Sequence, residues 1–155
     1  MDYLIDKEII GNDASEAIDG GAGNDTITAK GGDDIIMGAQ GNDSIDAGKG
    51  SNTLNFWRGH GNDTVVSGGG SDTLVFNDVE LTNENLETSG KDLIIHYTDR
   101  DSVTIKDFVP DSHSVKTIRH TGGTIDLTTL PFRIVGENGD TVYGGNDAEN
   151  IKFNG

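Results

Sequence analysis

The sequence predicts an all-β fold, a parallel β-roll (a right-handed β-helix of nonapeptide repeats) capped by a β-rich C-terminal flank. Three observations predict it. A period of nine runs through the first half of the chain; its sixth column holds side-chain oxygens and its eighth holds aliphatic residues; after Phe76 the period gives way to ordinary β patterns.

Composition says what must help such a fold. The 155 residues suit one domain, but a hydrophobic fraction of 32% is low for a chain that buries a core unaided. Against 27 Asp and Glu stand 11 Lys and Arg, and the net charge of −16 repels nucleic acid and anionic lipid while attracting cations. With no cysteine, disulfides and thiolate zinc sites are excluded. Calcium, which takes oxygen ligands, fits the inventory. No apolar run reaches the ~18 residues of a membrane span, so direct membrane insertion by this segment is not expected.

Residues 1–10 are assigned to an N-terminal cap strand. The stretch from Met1 to Lys7 lacks the basic region and apolar run of a cleaved signal peptide, so any export address is expected elsewhere.

Residues 11–76 carry the array. Units begin at Gly11, Gly20, Ala29, Gly38 and Ala47 and, after two extra residues, Phe56 and Trp57, at Arg58 and Ser67. Their sixth positions are Glu16, Asp25, Asp34, Asp43, Asn52, Asp63 and Asp72; their eighth positions are Ile18, Ile27, Ile36, Ile45, Leu54, Val65 and Leu74. Glycine at positions one, two and four permits positive φ and brings carbonyls into a concavity where a side chain would clash. Positions seven to nine, such as Thr26-Ile27-Thr28, form a strand with one inward side chain.

Two units make one coil, and coils stack about 4.8 Å apart, so the turns on one edge come from alternate units. One edge then carries Asp25, Asp43 and Asp63, and the other Glu16, Asp34, Asn52 and Asp72. Carboxylates so close repel, and an ion between successive turns would take oxygens from both. The expected pairs are Asp25 with Asp43, Asp43 with Asp63, and Asp34 with Asn52. Glu16 with Asp34 is a weaker pairing, because Glu16 is longer and its unit lacks most of the glycines. Asn52 brings oxygen without charge, and the insertion at Phe56-Trp57 is expected to break strict stacking near Asp63 and Asp72.

The array resembles the RTX, or haemolysin-type, repeat family, with its pattern G-G-x-G-x-D-x-U-x (U a large aliphatic); the unit at Gly20 matches in full. The resemblance implies about three to five Ca2+ ions held by turn carbonyls and the sixth-position side chains. The implied set is Gly20, Gly21, Ala22 and Gly23 with Asp25; Gly32 with Asp34; Gly38, Ala39, Gln40 and Gly41 with Asp43; Gly48 and Gly50 with Asn52; Gly59 and Gly61 with Asp63; and Gly68 and Gly70 with Asp72. It also implies type I secretion machinery, which passes unfolded chains, as a partner, and a secreted, extracellular or cell-surface location. The residues agree with such a switch. Without calcium the edges repel, and one aliphatic per nine residues does not offset the chain entropy of so much glycine.

Residues 77–130 are expected to form a C-terminal capping flank, similar to the segment that follows the repeats in haemolysin-like toxins. Strands are expected over 92–97, 102–106 and 114–118, with Phe56, Trp57 and Phe108 in cap packing. Residues 131–155 are expected to be a linker and the degenerate start of a second repeat array in a larger protein. There Asp140 and Glu149, like Val142 and Ile151, stand nine apart, and Gly145-Asn146-Asp147-Ala148 repeats Gly11-Asn12-Asp13-Ala14.

Hydrolase, phosphate-loop and EF-hand motifs are missing from the sequence, and His60, His96, His113 and His120 are scattered, so the chain is not expected to be an enzyme. The leading expectation is a monomeric calcium-binding module that folds on calcium binding after export, within a larger secreted toxin or adhesin. The alternative is an accessory R-type module of an extracellular enzyme such as an alginate epimerase, protease or lipase. An anionic polysaccharide would call for a basic stripe drawn from Lys30, Lys49, Arg58, Lys91, Arg100 and Lys106. Ice adhesion is disfavoured, because the third positions Ala22, Gly31, Gln40, Lys49, His60 and Gly69 include no threonine.

Overall fold

The nine-residue period becomes a stack of coils. In the computed structural model, residues 6–66, 69–89, 91–108 and 115–127 are described, together with three later strands. Each repeat supplies one short strand: β1 (Glu8–Ile10), β2 (Ala17–Asp19), β3 (Thr26–Thr28), β4 (Ile35–Met37), β5 (Ser44–Asp46), β6 (Thr53–Phe56), β7 (Asn62–Val66) and β8 (Asp72–Phe76). Each pairs in parallel with the strand two units on, so odd strands form one sheet and even strands another. The chain is a parallel β-roll.

The eighth column sets the register. Ile9, Ile27, Ile45 and Val65 stack on one sheet, and Ile18, Ile36, Leu54 and Leu74 on the other. The residues on either side of each point outward, so a three-residue strand buries a single aliphatic. Such a core is thin, and the backbone ladder must carry the rest.

The two-residue insertion does not break the stacking. Partners 18 residues apart below it become partners 20 residues apart above it, on both edges, and the rungs of Asp63 and Asp72 stay in line. The wider coil is filled by phenyl rings: Phe56 lies beside Phe76 in register, their centroids 5.2 Å apart and nearly parallel. Trp57 does not join this packing. It is 36% exposed, beside His60, because the residue after a buried strand position faces out.

The flank continues the roll and then closes it. After a 3-10 turn (Asn83–Asn85) come β9 (Leu86–Ser89), β10 (Asp92–His96), β11 (Ser102–Ile105), β12 (Val115–His120) and β13 (Gly123–Asp126). β11 stacks in parallel on β7 and β12 on β8, adding one more coil built from non-repeat sequence. Antiparallel β10 and β9 then extend the first sheet and β13 the second. Leu93, Ile95, Val103, Ile105, Val115 and Ile118 are fully buried, and Tyr97 packs its ring 4.9 Å from that of Phe76. Phe108 is buried as well. The expected strand at 114–118 starts at Val115, with Ser114 outside the described residues. Asp140 and Glu149, in the segment expected to begin a second array, also lie outside them. Around them are the strands β14 (Arg133–Val135) and β15 (Thr141–Gly144), which pair antiparallel, and β16 (Lys152–Asn154), which pairs with β9.

Where one coil lies on another, position four requires glycine. Gly41 has φ +113, and a Cβ there would be driven into the carbonyl oxygen of Gly23 in the coil below. Gly59 also has positive φ, but a Cβ there meets nothing. Gly41→Ala is therefore expected to cost roughly 3 kcal/mol or more, and Gly59→Ala about 1–2 kcal/mol from its φ alone. Denaturant unfolding in saturating calcium measures both; equal losses would contradict the stacking geometry. Position two is mixed: Lys30 and Ala39 occupy it with φ of 72° and 69°, whereas a Cβ on Gly48 would be driven into the carbonyl oxygen of Lys30. Position one does not need positive φ, since Ala29 and Ala47 fill it fully buried, and at the insertion it is taken by the exposed Arg58.

Candidate metal centre

The turns are stitched in both directions along each edge. The sixth-position N–H of one coil donates to Oδ1 of the sixth-position side chain in the next: Asp25 to Asp43 (2.7 Å), Asp43 to Asp63 (2.8 Å), Glu16 to Asp34 (2.9 Å), Asp34 to Asn52 (2.8 Å) and Asn52 to Asp72 (3.0 Å). All four expected pairs are thus brought together. A second ladder runs the other way at position five. The N–H of Asn42 donates to Oδ1 of Asn24 (2.7 Å), that of Asn62 to Asn42 (2.9 Å) and that of Ser51 to Asp33 (2.8 Å).

The first ladder uses one oxygen of each carboxylate, and the other is left over. Oδ2 of Asp25, Asp34, Asp43 and Asp63 is buried and accepts no hydrogen bond. A buried carboxylate oxygen without a donor is costly. Burial pushes Asp43 up to about 6 and Asp63 up to about 8, the neighbouring carboxylate adding to each, and raises Asp34 as well, with the Glu16 charge adding. Something positive belongs beside these oxygens.

Two nitrogens mark where it belongs. Asn52 turns Nδ2 onto the carbonyls of Ala47 (3.0 Å) and Lys49 (3.4 Å), positions one and three of its own turn. Lys7 places its ammonium on the carbonyls of Gly20 (2.7 Å) and Ala22 (3.3 Å), the same two positions, with Asp25 Oδ1 at 3.8 Å. In the aspartate turns Oδ2 lies against this spot: a Cβ on Gly20 would sit 2.7 Å from Asp25 Oδ2, and one on Gly38 would collide with Asp43 Oδ2. The cradle is therefore two carbonyls and a buried carboxylate oxygen, with the sixth side chain of the adjacent coil close by. Among the described residues no three acidic or histidine side chains converge on one point. An all-oxygen set of carboxylates and carbonyls suits calcium and offers nothing to a softer metal.

The expected carbonyl donors divide accordingly. Gly20, Ala22, Gly38 and Gln40 hold positions one and three. Gly21, Ala39, Gly48 and Gly59 hold position two, and Gly23, Gly32, Gly41, Gly50, Gly61 and Gly70 hold position four, where coil stacks on coil. The carbonyl of Gly48 accepts the N–H of Gly69 and that of Gly61 the N–H of Ser102, both at 3.1 Å, so these two serve the ladder. Gly68 lies outside the described residues. The expected set omitted Ala47 and Lys49, and also Asp101, whose carboxylate accepts the N–H groups of Gly59 and Gly61 (2.9 Å each) and the hydroxyl of Thr98 (2.7 Å). Asp101 closes the Asp63 edge from the flank, and those three hydrogen bonds hold its carboxyl below the usual range despite the opposing pull of burial.

A parallel roll with stacked acidic turns and cradles of oxygen defines a cation-binding repeat protein. The family model for the RTX calcium-binding nonapeptide repeat (4 copies) matches residues 10–45, 30–60 and 45–74, and the array belongs to that family. No curated protein matches the chain.

Proposed function

We propose that this chain is a calcium-triggered folding module of a larger secreted protein, a toxin or an adhesin, and is not itself an enzyme. The observation that carries this reading is the row of buried Oδ2 atoms on Asp25, Asp34, Asp43 and Asp63, each without a hydrogen-bond donor. About three to five calcium ions lodge along the two edges, between Asp25 and Asp43, between Asp43 and Asp63, and between Glu16 and Asp34. The turn of Asn52 is weaker, because its own amide occupies the cradle.

With an affinity in the ~10⁻⁴ to 10⁻³ M range of extracellular calcium modules, the array stays unfolded in the cytosol, passes a type I secretion machine as an extended chain, and folds outside as a monomeric unit. No helix among the described residues is long and apolar enough to cross a membrane. The alternative role on an anionic polysaccharide gains nothing from the surface: Lys30 and Lys49 share their groove with Asp13 and Asp46, and Lys106 is paired with Asp92 at 2.9 Å. Equilibrium dialysis tests the proposal. Several calcium ions bound per chain at millimolar calcium, and none replaced by equimolar magnesium, is the expected result; no bound calcium at that concentration would overturn it.

A further inference from the structure

We propose that Lys7 is the sixth residue of a further, first rung, and that its ammonium is a tethered substitute for calcium in the turn from Gly20 to Asp25. This rests on the reading of the turns as calcium sites. The backbone supplies the first half of the case. The Lys7 N–H donates to Asp25 Oδ1 (2.9 Å) and the Thr26 N–H to the Lys7 carbonyl (2.8 Å), as Asp25 does with Asp43 and Ser44. Asp6 accepts the N–H of Asn24 at 2.7 Å, as Asn24 does for Asn42. Ile9 stacks on Ile27. Counted in nines back from Gly11, a unit starting at Asp2 puts Asp6, Lys7 and Ile9 in the fifth, sixth and eighth columns.

The side chain supplies the second half. A lysine where every later repeat on this edge has aspartate would be expected to leave the column, yet its Nζ lies on Gly20 O and Ala22 O and faces Asp25. Those are the carbonyls of positions one and three, the pair that Asn52 marks in its own turn. An ammonium has three donors and no acceptor, so it can satisfy the carbonyls and offset the carboxylate as an ion would. It also excludes a second cation by charge and by taking the carbonyls. The first turn of this edge is then complete in any calcium concentration that folds its neighbours, and ions begin at Asp25 with Asp43.

Lys7→Asp restores the repeat pattern and should bind one more calcium per chain than the wild type in equilibrium dialysis, with an unchanged far-UV circular dichroism spectrum at saturation. An unchanged count in a variant with that spectrum overturns the inference. A second measurement uses the wild type alone, in case the variant does not fold. Competitive amine labelling read by mass spectrometry should find Lys7 less reactive than Lys49 in saturating calcium. Reactivity of Lys7 rising to that of Lys49 as calcium is added would mean the ion displaces it, and would overturn the inference. A wild type that binds no calcium defeats the reading of the turns instead, and a wild type that binds calcium while Lys7→Asp gains none defeats only the role of Lys7.

Discussion

Removing calcium at pH 9 should melt the array from residue 11 to residue 76. Far-UV circular dichroism should lose its β signal in excess chelator, Trp57 emission should change with it, and both should return together over a steep calcium titration that magnesium does not reproduce. Ionised carboxylates on successive coils, about 5 Å apart, repel by roughly 3 kcal/mol per neighbouring pair at an effective dielectric of about 20. The opposing core is one aliphatic per unit, as at Ile27, Ile36 and Ile45.

The pH matters because protons relieve the same strain. Asp43 and Asp63 titrate higher folded than unfolded, at about 6 and about 8, so the folded state binds more protons. Stability from protonation is therefore present at low pH and lost as pH rises through those values. In chelator, acidification from pH 9 to pH 5 should recover part of the β signal. A fold already complete in chelator at pH 9 would contradict the proposed switch.

Asp43→Ala should be the most damaging single loss on the edges. Asp43 belongs to two neighbouring pairs, its Oδ1 accepts the Asp25 N–H, and its own N–H donates to Asp63. Truncation leaves the Asp25 N–H buried and unsatisfied, at about 1–3 kcal/mol, and removes a ligand from two proposed ions. The calcium midpoint of folding should rise by about tenfold or more, since each 1.4 kcal/mol is a factor of ten. Asp43→Asn separates the two effects. It keeps an oxygen for Asp25 and can turn its amide onto Gly38 and Gln40 as Asn52 does onto Ala47 and Lys49, so it should retain the fold and bind fewer ions. Asp72→Ala, at the end of its edge, should cost less; equal losses from Asp43→Ala and Asp72→Ala would contradict the shared-ligand geometry.

The period made the shaft of the molecule readable, because an inward aliphatic every ninth residue and an acid two places before it leave one way to stack. It set the edge membership of Asp25, Asp43 and Asp63 and the register of Ile27 on Ile45. Lys7 is not legible in that pattern, because the sixth column is defined by oxygen and an ammonium is the opposite chemistry in the same place. Asp101 escaped because it belongs to sequence without a period and reaches Gly59 and Gly61 only through the pairing of β11 on β7. The fifth-position ladder was hidden by its mixed composition: Asn24, Asp33, Asn42 and Asn62 differ in charge but share an oxygen at the same reach.

Near-identical repeats carry a hazard of their own, since a strand that slips by one whole coil meets the same aliphatic, the same acid and the same glycines. The insertion is the exception: it lengthens the coil by two residues and sets Phe56 and Phe76, in successive layers, ring against ring. It works as an index mark on the shaft: an out-of-step assembly would have to bury phenylalanine in the column where the coils below hold Gly20 and Gly38, so the odd coil keeps count for all the others.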